Sequence, residues 1–187
     1  GGGGIGCLSS TMKLTAMTVQ SNAANGDGGG GWFTFCSPHI KESVWSSNTA
    51  KSRGAGLFFG MMSHPMFLRS ANPGQKAIIA NNTANEGAGG IGCYRCAGMD
   101  ISMVTFENNL VTHGVGGCMV VENTQSSNIK SSSFKQCTAF AGGGAIYSYS
   151  SSNIDIRDSE FIGNSATEGG GGVILWGFTS AEMAVMT

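Results

Sequence analysis

The amino-acid sequence predicts an all-β fold, a right-handed single-stranded parallel β-helix (solenoid) of about seven coils, with about 27 residues and three short strands per coil. Three observations lead to this prediction. Glycine accounts for 31 of the 187 residues, clusters of glycine return at a nearly constant interval, and two further columns of residues repeat in step with them. We expect residues 1–187 to form one β-helix domain.

Each glycine cluster is followed by an apolar residue, which we expect to point into the coil. These residues are Ile5, Trp32, Leu57, Ile91, Cys118, Ile146 and Val173. Glycine suits the preceding position because it lacks a Cβ, tolerates positive φ and allows neighbouring backbones to approach closely. The clusters therefore predict a tight turn at the start of every coil.

A second motif follows about 15 residues later in each repeat and reads apolar-x-x-Asn-x-small. Its apolar residues are Val19, Trp45, Ile79, Phe106, Phe134 and Phe161, and its central residues are Asn22, Asn48, Asn82, Asn109, Cys137 and Asn164. A third column precedes the apolar residues and consists of Leu14, Ile40, Gly74, Ile101, Ile129 and Ile156. We expect the apolar columns to stack from coil to coil and the asparagines to form an internal amide ladder.

The composition of the repeats favours strands and turns over helices. Glycine, serine, threonine and asparagine alternate with β-branched and aromatic residues, which is typical of turns and short strands. Apolar residues make up 41% of the chain and charged residues only 11%, which excludes a disordered chain. The net charge of −1 without a basic cluster argues against a nucleic-acid partner.

One repeat resembles a known family. The segment Gly143-Gly144-Ala145-Ile146, followed by Phe161-Ile162-Gly163-Asn164, is similar to the GGA[ILV]…FxxN repeat of polymorphic outer membrane proteins. The resemblance extends over essentially the whole chain, although only this repeat carries both halves of the motif. It implies a right-handed β-helix in a secreted or cell-surface setting, with adhesive or architectural roles and no catalytic residues.

The third repeat is longer than the others, and the excess falls on residues 61–74. This segment contains two of the three prolines and ends in the turn signal Asn72-Pro73-Gly74. We expect an enlarged loop whose candidate binding residues are Met66, Phe67, Leu68 and Arg69. The alternative is that its apolar residues fold back over the flank of the helix.

The six cysteines allow more than one set of disulfides. Cys7 and Cys36 lie on adjacent predicted coils, as do Cys118 and either Cys93 or Cys96. Cys137 replaces a ladder asparagine, and we expect it to be a buried thiol. The Cys93-x-x-Cys96 pair lacks the second pair that a zinc site needs, so we expect no metal.

Asn81-Asn82-Thr83 is the one N-glycosylation sequon of the chain. Because Asn82 belongs to the inward ladder, we expect the Asn81 side chain to face outward and to be the glycosylation site. An even number of cysteines suits the same extracellular or cell-surface compartment.

The sequence gives only weak indications of catalytic or metal-binding groups. Glu86 and His113 precede consecutive glycine clusters and could approach each other, but that column also contains Arg53 and Ala141. Asp100 and Asp155 share a predicted face with several basic residues, a pattern that a solvated charged surface explains better. We therefore expect no catalytic residues and no cofactor.

These observations predict a structural component of an extracellular or cell-surface assembly, such as a rod, fibre or sheath. Its partners would be other protein chains, through self-assembly or through neighbouring segments of the same protein. The predicted helix shows no capping element at either end, so we expect a segment of a longer repeat protein or ends that dock in a filament. The alternatives are an adhesin that binds a partner or glycan through residues 61–74 and, less favoured, a carbohydrate-active enzyme. No stretch of the sequence is apolar enough for a transmembrane segment.

Overall fold

Each repeat of the sequence closes one coil of a parallel β-helix, which confirms the predicted fold class. The structure is a computed structural model, and it describes residues 1–67, 76–151, 153–177 and 180–183. Within these residues the chain completes six coils, and two more strands begin a seventh. A complete coil has four strands rather than three, because the turn at the ladder position separates a final two-residue strand from the strand before it.

The strands are named in chain order. The first three coils consist of β1 (Ile5–Leu8), β2 (Thr11–Thr15), β3 (Thr18–Gln20), β4 (Ala23–Ala24), β5 (Gly31–Thr34), β6 (Ser37–Lys41), β7 (Val44–Ser46), β8 (Thr49–Ala50), β9 (Leu57–Gly60), β10 (Met66–Phe67), β11 (Ala77–Ala80) and β12 (Thr83–Ala84). The remaining strands are β13 (Ile91–Tyr94), β14 (Met99–Ser102), β15 (Val104–Glu107), β16 (Leu110–Val111), β17 (Met119–Glu122), β18 (Ser127–Lys130), β19 (Ser133–Lys135), β20 (Thr138–Ala139), β21 (Ile146–Tyr149), β22 (Asn153–Arg157), β23 (Glu160–Ile162), β24 (Ser165–Ala166), β25 (Val173–Trp176) and β26 (Ser180–Met183).

Strands at the same position of successive coils pair in parallel and form four sheets along the helix. The first sheet has the order β1-β5-β9-β13-β17-β21-β25, and the second has the order β2-β6-β10-β14-β18-β22-β26. The third and fourth sheets contain the described strands β3-β7-β11-β15-β19-β23 and β4-β8-β12-β16-β20-β24. Neighbouring strands in such sheets are about 4.8 Å apart, so each coil advances the helix by that distance.

The register of the first sheet differs from the prediction at two positions. Ile5 pairs with Gly31 rather than Trp32, and Ile91 pairs with Met119 rather than Cys118. Successive side chains of a strand point to opposite faces, so a shift of one residue exchanges inside and outside. Trp32 therefore faces away from the core, in line with Gly6 and Phe58.

Part of the segment 61–74, for which an enlarged loop is expected, is a strand, because β10 (Met66–Phe67) runs within the second sheet. Phe67 pairs with Ile40 on one side and Ile101 on the other, and only 2% of its surface is exposed. It thus takes the inward position that the sequence analysis gave to Gly74. Burying an aromatic side chain between two isoleucines is favourable, and glycine offers no such side chain. Residues 68–74 of the expected loop lie outside the described residues.

Aromatic side chains stack in the third sheet as the second sequence motif predicts. The Phe134 ring lies between those of Phe106 and Phe161, with centroid distances of 4.7 and 4.9 Å and interplanar angles of 5°. Phe106 and Phe134 are fully buried. The stack repeats at the spacing of the coils, so the same column of the sequence fills the core from one coil to the next.

The asparagines form the ladder that the repeat pattern indicates. Asn82 Oδ1 accepts hydrogen bonds from the backbone N–H and the Nδ2 of Asn48, at 2.9 and 3.1 Å. Asn82 Nδ2 in turn donates to Asn109 Oδ1 at 3.0 Å and to the carbonyl oxygen of Trp45 at 2.9 Å. Each buried amide therefore satisfies a backbone N–H and a backbone carbonyl of the preceding coil.

The residue before each ladder position adopts a left-handed conformation. These residues are Ser21, Ser47, Asn81, Asn108, Gln136 and Gly163, with φ between 52° and 61°. Five of the six are not glycine, although side chains disfavour this region. We attribute the tolerance to the ladder, whose hydrogen bonds hold the turn on its inner side.

The three disulfides differ in part from the predicted pairing. Cys7 bonds Cys36 of the next coil, one of the pairings expected. Cys93 bonds Cys96 within its own coil rather than Cys118. The expectation of a buried Cys137 thiol is wrong, because Cys137 and Cys118 lie across the core from each other with Cα atoms 5.4 Å apart and form a disulfide. The Cys137 sulfur still lies in the ladder column, where it accepts from Asn109 Nδ2 at 3.8 Å.

Candidate functional site

The outer surface of the first sheet is formed by two columns of residues, in which aromatic side chains alternate with glycine and other residues. One column contains Gly6, Trp32, Phe58, Gly92, Val120, Tyr147 and Ile174, and the other contains Leu8, Thr34, Gly60, Tyr94, Glu122, Tyr149 and Trp176. We call this surface, together with the turn that follows each of its strands, the aromatic face. Its position follows from strand alternation, because the residues between these columns point into the core.

Two glycines allow aromatic rings to lie flat on this face. The rings of Phe58 and Tyr94 are stacked with a centroid distance of 5.4 Å and an interplanar angle of 19°. A Cβ on Gly92 would lie 2.7 Å from Tyr94 Cε2, and a Cβ on Gly60 would lie 3.0 Å from Phe58 Cε1. Both glycines are thus needed for the rings to cover the sheet.

Arg53 covers the two rings from the turn before β9. Its guanidinium carbon lies 4.5 Å from the Tyr94 ring centroid and 5.5 Å from that of Phe58. Its Nε and Nη2 atoms donate to the two carboxylate oxygens of Asp27, at 3.1 and 3.2 Å. Burial opposes the charged form, but the hydrogen bond and charge of Asp27 outweigh it and raise the pKa of Arg53. The guanidinium is therefore held charged and in one orientation.

A cleft of about 320 Å³ surrounds this cluster. Its walls are formed by Asp27, Trp32, Thr34, Arg53, Phe58, Gly60, Met61, Tyr94, Arg95 and Glu122. Burial raises the pKa of Tyr94 well above its ordinary value, although the charge of Arg53 acts in the opposite direction. The Tyr94 hydroxyl therefore stays protonated at neutral pH and remains a hydrogen-bond donor.

Exposed apolar side chains concentrate on the aromatic face. In the part of the chain that the structure describes, the exposed large apolar residues are Leu8, Met17, Phe35, Met61, Met62, Ile78, Leu110, Phe140, Tyr149, Ile162 and Trp176. Six of these eleven belong to the first sheet or its following turn, and Trp176 is 64% exposed. These six residues lie in the first three and the last two coils of the face, and apolar groups exposed in such numbers on one surface favour an interaction role.

Two opposite charges lie near the middle of the aromatic face. Glu122 follows Tyr94 in the outward column, and the backbone N–H of Arg95 donates to the carbonyl oxygen of Glu122 at 2.8 Å. The Arg95 side chain is exposed and has no ion pair with any residue described. Glu122 accepts one long bond, from Asn123 Nδ2 at 3.3 Å. Both groups are available to a partner.

The outer surface of the second sheet is polar, and its acidic groups have partners within the chain. Asp100 accepts from Asn128 Nδ2 at 2.7 Å and contacts His64 Nε2 at 3.0 Å. Asp155 accepts from Arg157 Nε at 2.6 Å. Asp100 and Asp155 share one column with Asn128 between them, so two coil spacings separate their backbones.

The Glu86–His113 pair considered in the sequence analysis does not form. Glu86 Oε2 accepts from Ser52 Oγ at 2.6 Å, whereas His113 Nδ1 contacts Asn85 Oδ1 at 2.6 Å. Across the described ranges, no group of three or more His, Cys, Asp or Glu residues is arranged to hold a metal ion.

Of the four predicted binding residues of the third coil, the two that the structure describes lie in strand β10. Met66 is half-buried and lies in the outward column between His39 and Asp100, and Phe67 is buried in the core. Leu68 and Arg69 lie outside the described residues. Asn81 is exposed in its turn, as expected from its place beside the ladder.

Sequence reasoning missed the aromatic face although a signal was present. The first strands of the sixth and seventh coils read IYSY and VILW. Large side chains therefore occupy both the inward and the outward positions of these strands. A strand with one solvated face alternates apolar and polar residues, whereas a strand with two apolar faces does not. The outward columns vary in residue type, so a search for repeated residues does not detect them.

Comparison with known protein families gives one match, to the family described as right handed beta helix region, over residues 65–184. Neither the curated proteins nor the solved structures contain a match to the chain. A search of the described residues for helices finds none that is long and apolar enough to cross a bilayer.

Proposed function

Because this chain belongs to the right-handed β-helix family, we propose that it is a non-enzymatic structural rod of an extracellular or cell-surface assembly. The observation that carries the proposal is the continuous interior, in which a side-chain ladder and stacked apolar columns join six coils into one body. Such an array of short-range contacts between neighbouring coils suits a stiff spacer.

The cysteines support an oxidising compartment. All six are paired in disulfides, and the pairs Cys7–Cys36 and Cys118–Cys137 connect positions far apart in the sequence. Disulfides of this kind persist in secreted and surface proteins and are rare in the reducing cytosol. The exposed side chain of Asn81, within its sequon, is also consistent with passage through a glycosylating compartment.

The resemblance to polymorphic outer membrane proteins supports the same setting. In the structure, the GGAI segment at residues 143–146 leads into β21, and the FxxN segment at residues 161–164 supplies a core aromatic and a ladder asparagine. The motif residues therefore have structural roles in this chain, which agrees with a family whose repeats build a surface scaffold.

The geometry supports an interaction role more strongly on the aromatic face than on residues 61–74. Phe67 is buried, which removes the central apolar residue of the adhesin hypothesis from the surface. For the enzyme alternative, the acidic groups of the second sheet are already engaged by His64, Asn128 and Arg157. A rod that presents one contact surface accounts for both observations.

The location is tested by antibody labelling of intact and permeabilised cells of the natural source. We expect labelling of intact cells or of secreted material, with no free thiols in the non-reduced protein. Labelling that requires permeabilisation, together with reduced cysteines, would contradict the proposal.

Glycosylation is tested separately in a eukaryotic secretory host. We expect a glycan that is removed by Asn81→Gln and by Thr83→Ala. Asn108→Gln is the matched control, because Asn108 occupies the equivalent turn of the next coil without a sequon. If Asn81→Gln leaves the mobility of the protein unchanged, the assignment of Asn81 is wrong, whereas the rod proposal is unaffected.

A further inference from the structure

We propose that the aromatic face is an interface between two copies of this chain, which lie side by side and antiparallel about a twofold axis. The inference deepens the proposed structural role by naming its partner, and it rests on that role. Three properties of the face carry it: the residue types, the dimensions and the arrangement of charge.

The residue types of the aromatic face match those of protein interfaces. Interface cores are enriched in Trp, Tyr, Phe, Met and Arg and depleted of Lys, Asp and Glu. Glu122 is the only charged residue in the seven strands of the first sheet, and none of these strands contains lysine. The second sheet, in contrast, carries Lys13, Lys41 and Lys130. Both sheets pack against the same core, so the difference in charged residues reflects the surroundings of their outer faces.

The dimensions suit a partner that is itself a rod. Seven strands at a spacing of about 4.8 Å give a length of about 29 Å, and five residues per strand and turn give a width of about 17 Å. The projected area is about 500 Å² per copy, or about 1,000 Å² in total, and protruding side chains add to it. This total meets the lower limit for a specific protein interface. Two such surfaces can pack face to face as aligned sheets do.

The charges are self-complementary under a twofold axis between the fourth and fifth coils. Such an axis places Arg95 of one copy against Glu122 of the other, and the reverse, so two ion pairs form at the centre. The same axis places the second coil, with Trp32, opposite the seventh, with Trp176, and the third coil, with Phe58, opposite the sixth, with Tyr147 and Tyr149. Symmetric pairing of this kind is the usual form of a homodimer. The surrounding aromatic groups exclude water and strengthen the central pairs.

The test is sedimentation velocity of the purified, oxidised chain over a range of concentrations. We expect a monomer–dimer equilibrium, which Arg95→Glu and Glu122→Arg each weaken by about tenfold or more because each creates two like-charge contacts. The double variant Arg95→Glu/Glu122→Arg restores dimerisation to within about threefold of the wild type, since the pairs form again with exchanged signs. Lys130→Glu, in the fifth coil but on the second sheet, is the matched control and leaves the dissociation constant unchanged.

Circular dichroism confirms that each variant retains the β-helix. A chain that remains monomeric at all concentrations overturns the inference, even if it binds a glycan or another protein. A dimer that neither single charge reversal weakens, or that the double variant does not restore, overturns it as well. These outcomes leave the surface-labelling experiment untouched, so failure of the dimer and failure of the surface location are distinguishable.

Discussion

The interior columns and the aromatic face use the same kinds of side chain in opposite ways. Inside, Phe134 is stacked between Phe106 and Phe161 and fully buried, and each ladder amide is paired with the next. Outside, the first sheet carries rings of comparable size whose exposure ranges from Phe58, which is buried, to Trp176, which is 64% exposed. The interior contacts join every coil to the next, whereas on the outer face only Phe58 and Tyr94 form a ring stack between coils and Trp176 is 64% exposed. If the aromatic face is the proposed dimer interface, the difference teaches that stability and recognition are assigned to different sides of the same strands.

The sharpest contrast is between two aromatic residues. Phe134→Ala removes a buried ring from the core stack and is expected to lower the free energy of unfolding by about 3–5 kcal/mol. Trp176→Ala removes an exposed ring and is expected to change it by about 0.5 kcal/mol or less. Guanidinium unfolding of both variants measures the two values. Equal losses would show that the aromatic face is part of the core.

The ladder provides a second contrast, between its middle and its end. Asn82→Ala leaves the backbone N–H of Asn48 and the carbonyl of Trp45 without their partners, and is expected to cost about 3 kcal/mol or more. Asn22 accepts no ladder bond and is half-buried, so Asn22→Ala is expected to cost about 1 kcal/mol. The same unfolding experiment compares them. If both cost the same, the ladder does not act as a connected network.

Cys137 interrupts the asparagine ladder, and replacing it with asparagine tests whether a continuous ladder is more stable. Cys118→Ala/Cys137→Ala loses the disulfide and is expected to be destabilised by about 3 kcal/mol. Cys118→Ala/Cys137→Asn loses the same disulfide but restores amide contacts with Asn109 and Asn164, so it is expected to be more stable than the alanine pair by about 2 kcal/mol. Thermal and denaturant unfolding of the two variants decide the matter. A less stable asparagine variant would contradict the ladder's role.

A smaller effect concerns Tyr94 on the aromatic face. Burial raises its pKa in the folded chain, so above about pH 10 the unfolded chain loses this proton while the folded chain keeps it. Stability is therefore fully present below that pH and falls as the pH rises. We expect Tyr94→Phe to make the decline less steep, as measured by unfolding midpoints between pH 8 and 11. An unchanged slope would mean that Tyr94 is exposed to solvent in both states.

The interior of this protein could be predicted from its sequence because stacking repeats the same requirement in every coil. A column such as Ile101, Ile129 and Ile156 recurs because each member packs against the next. The inward position of Phe67 was not predicted, because the extra residues of the third coil shift Phe67 relative to the repeat. The Cys118–Cys137 disulfide was not predicted, because it joins two sides of one coil and the spacing of residues along the chain does not reveal contacts across the core.

The aromatic face could not be predicted in the same way. Its residues need only be large and planar, so Trp32, Phe58 and Tyr94 follow no repeated letter. Trp32 was misplaced by a single residue of register, which is enough to exchange the two faces of a strand. The ion pair of Arg53 with Asp27 joins adjacent coils and becomes visible only once the stacking is known.

Oxidative footprinting of side chains in dilute and concentrated solutions tests the central claim most directly: the interior columns build the rod, and its contact surface is the aromatic face. We predict that concentrating the protein protects Met61, Met62 and Trp176 from hydroxyl radicals. Met17 and Phe140 are also exposed but lie on other surfaces, and their oxidation is expected to stay constant. Protection of Met17 and Phe140 with unchanged oxidation of the aromatic face would contradict the account.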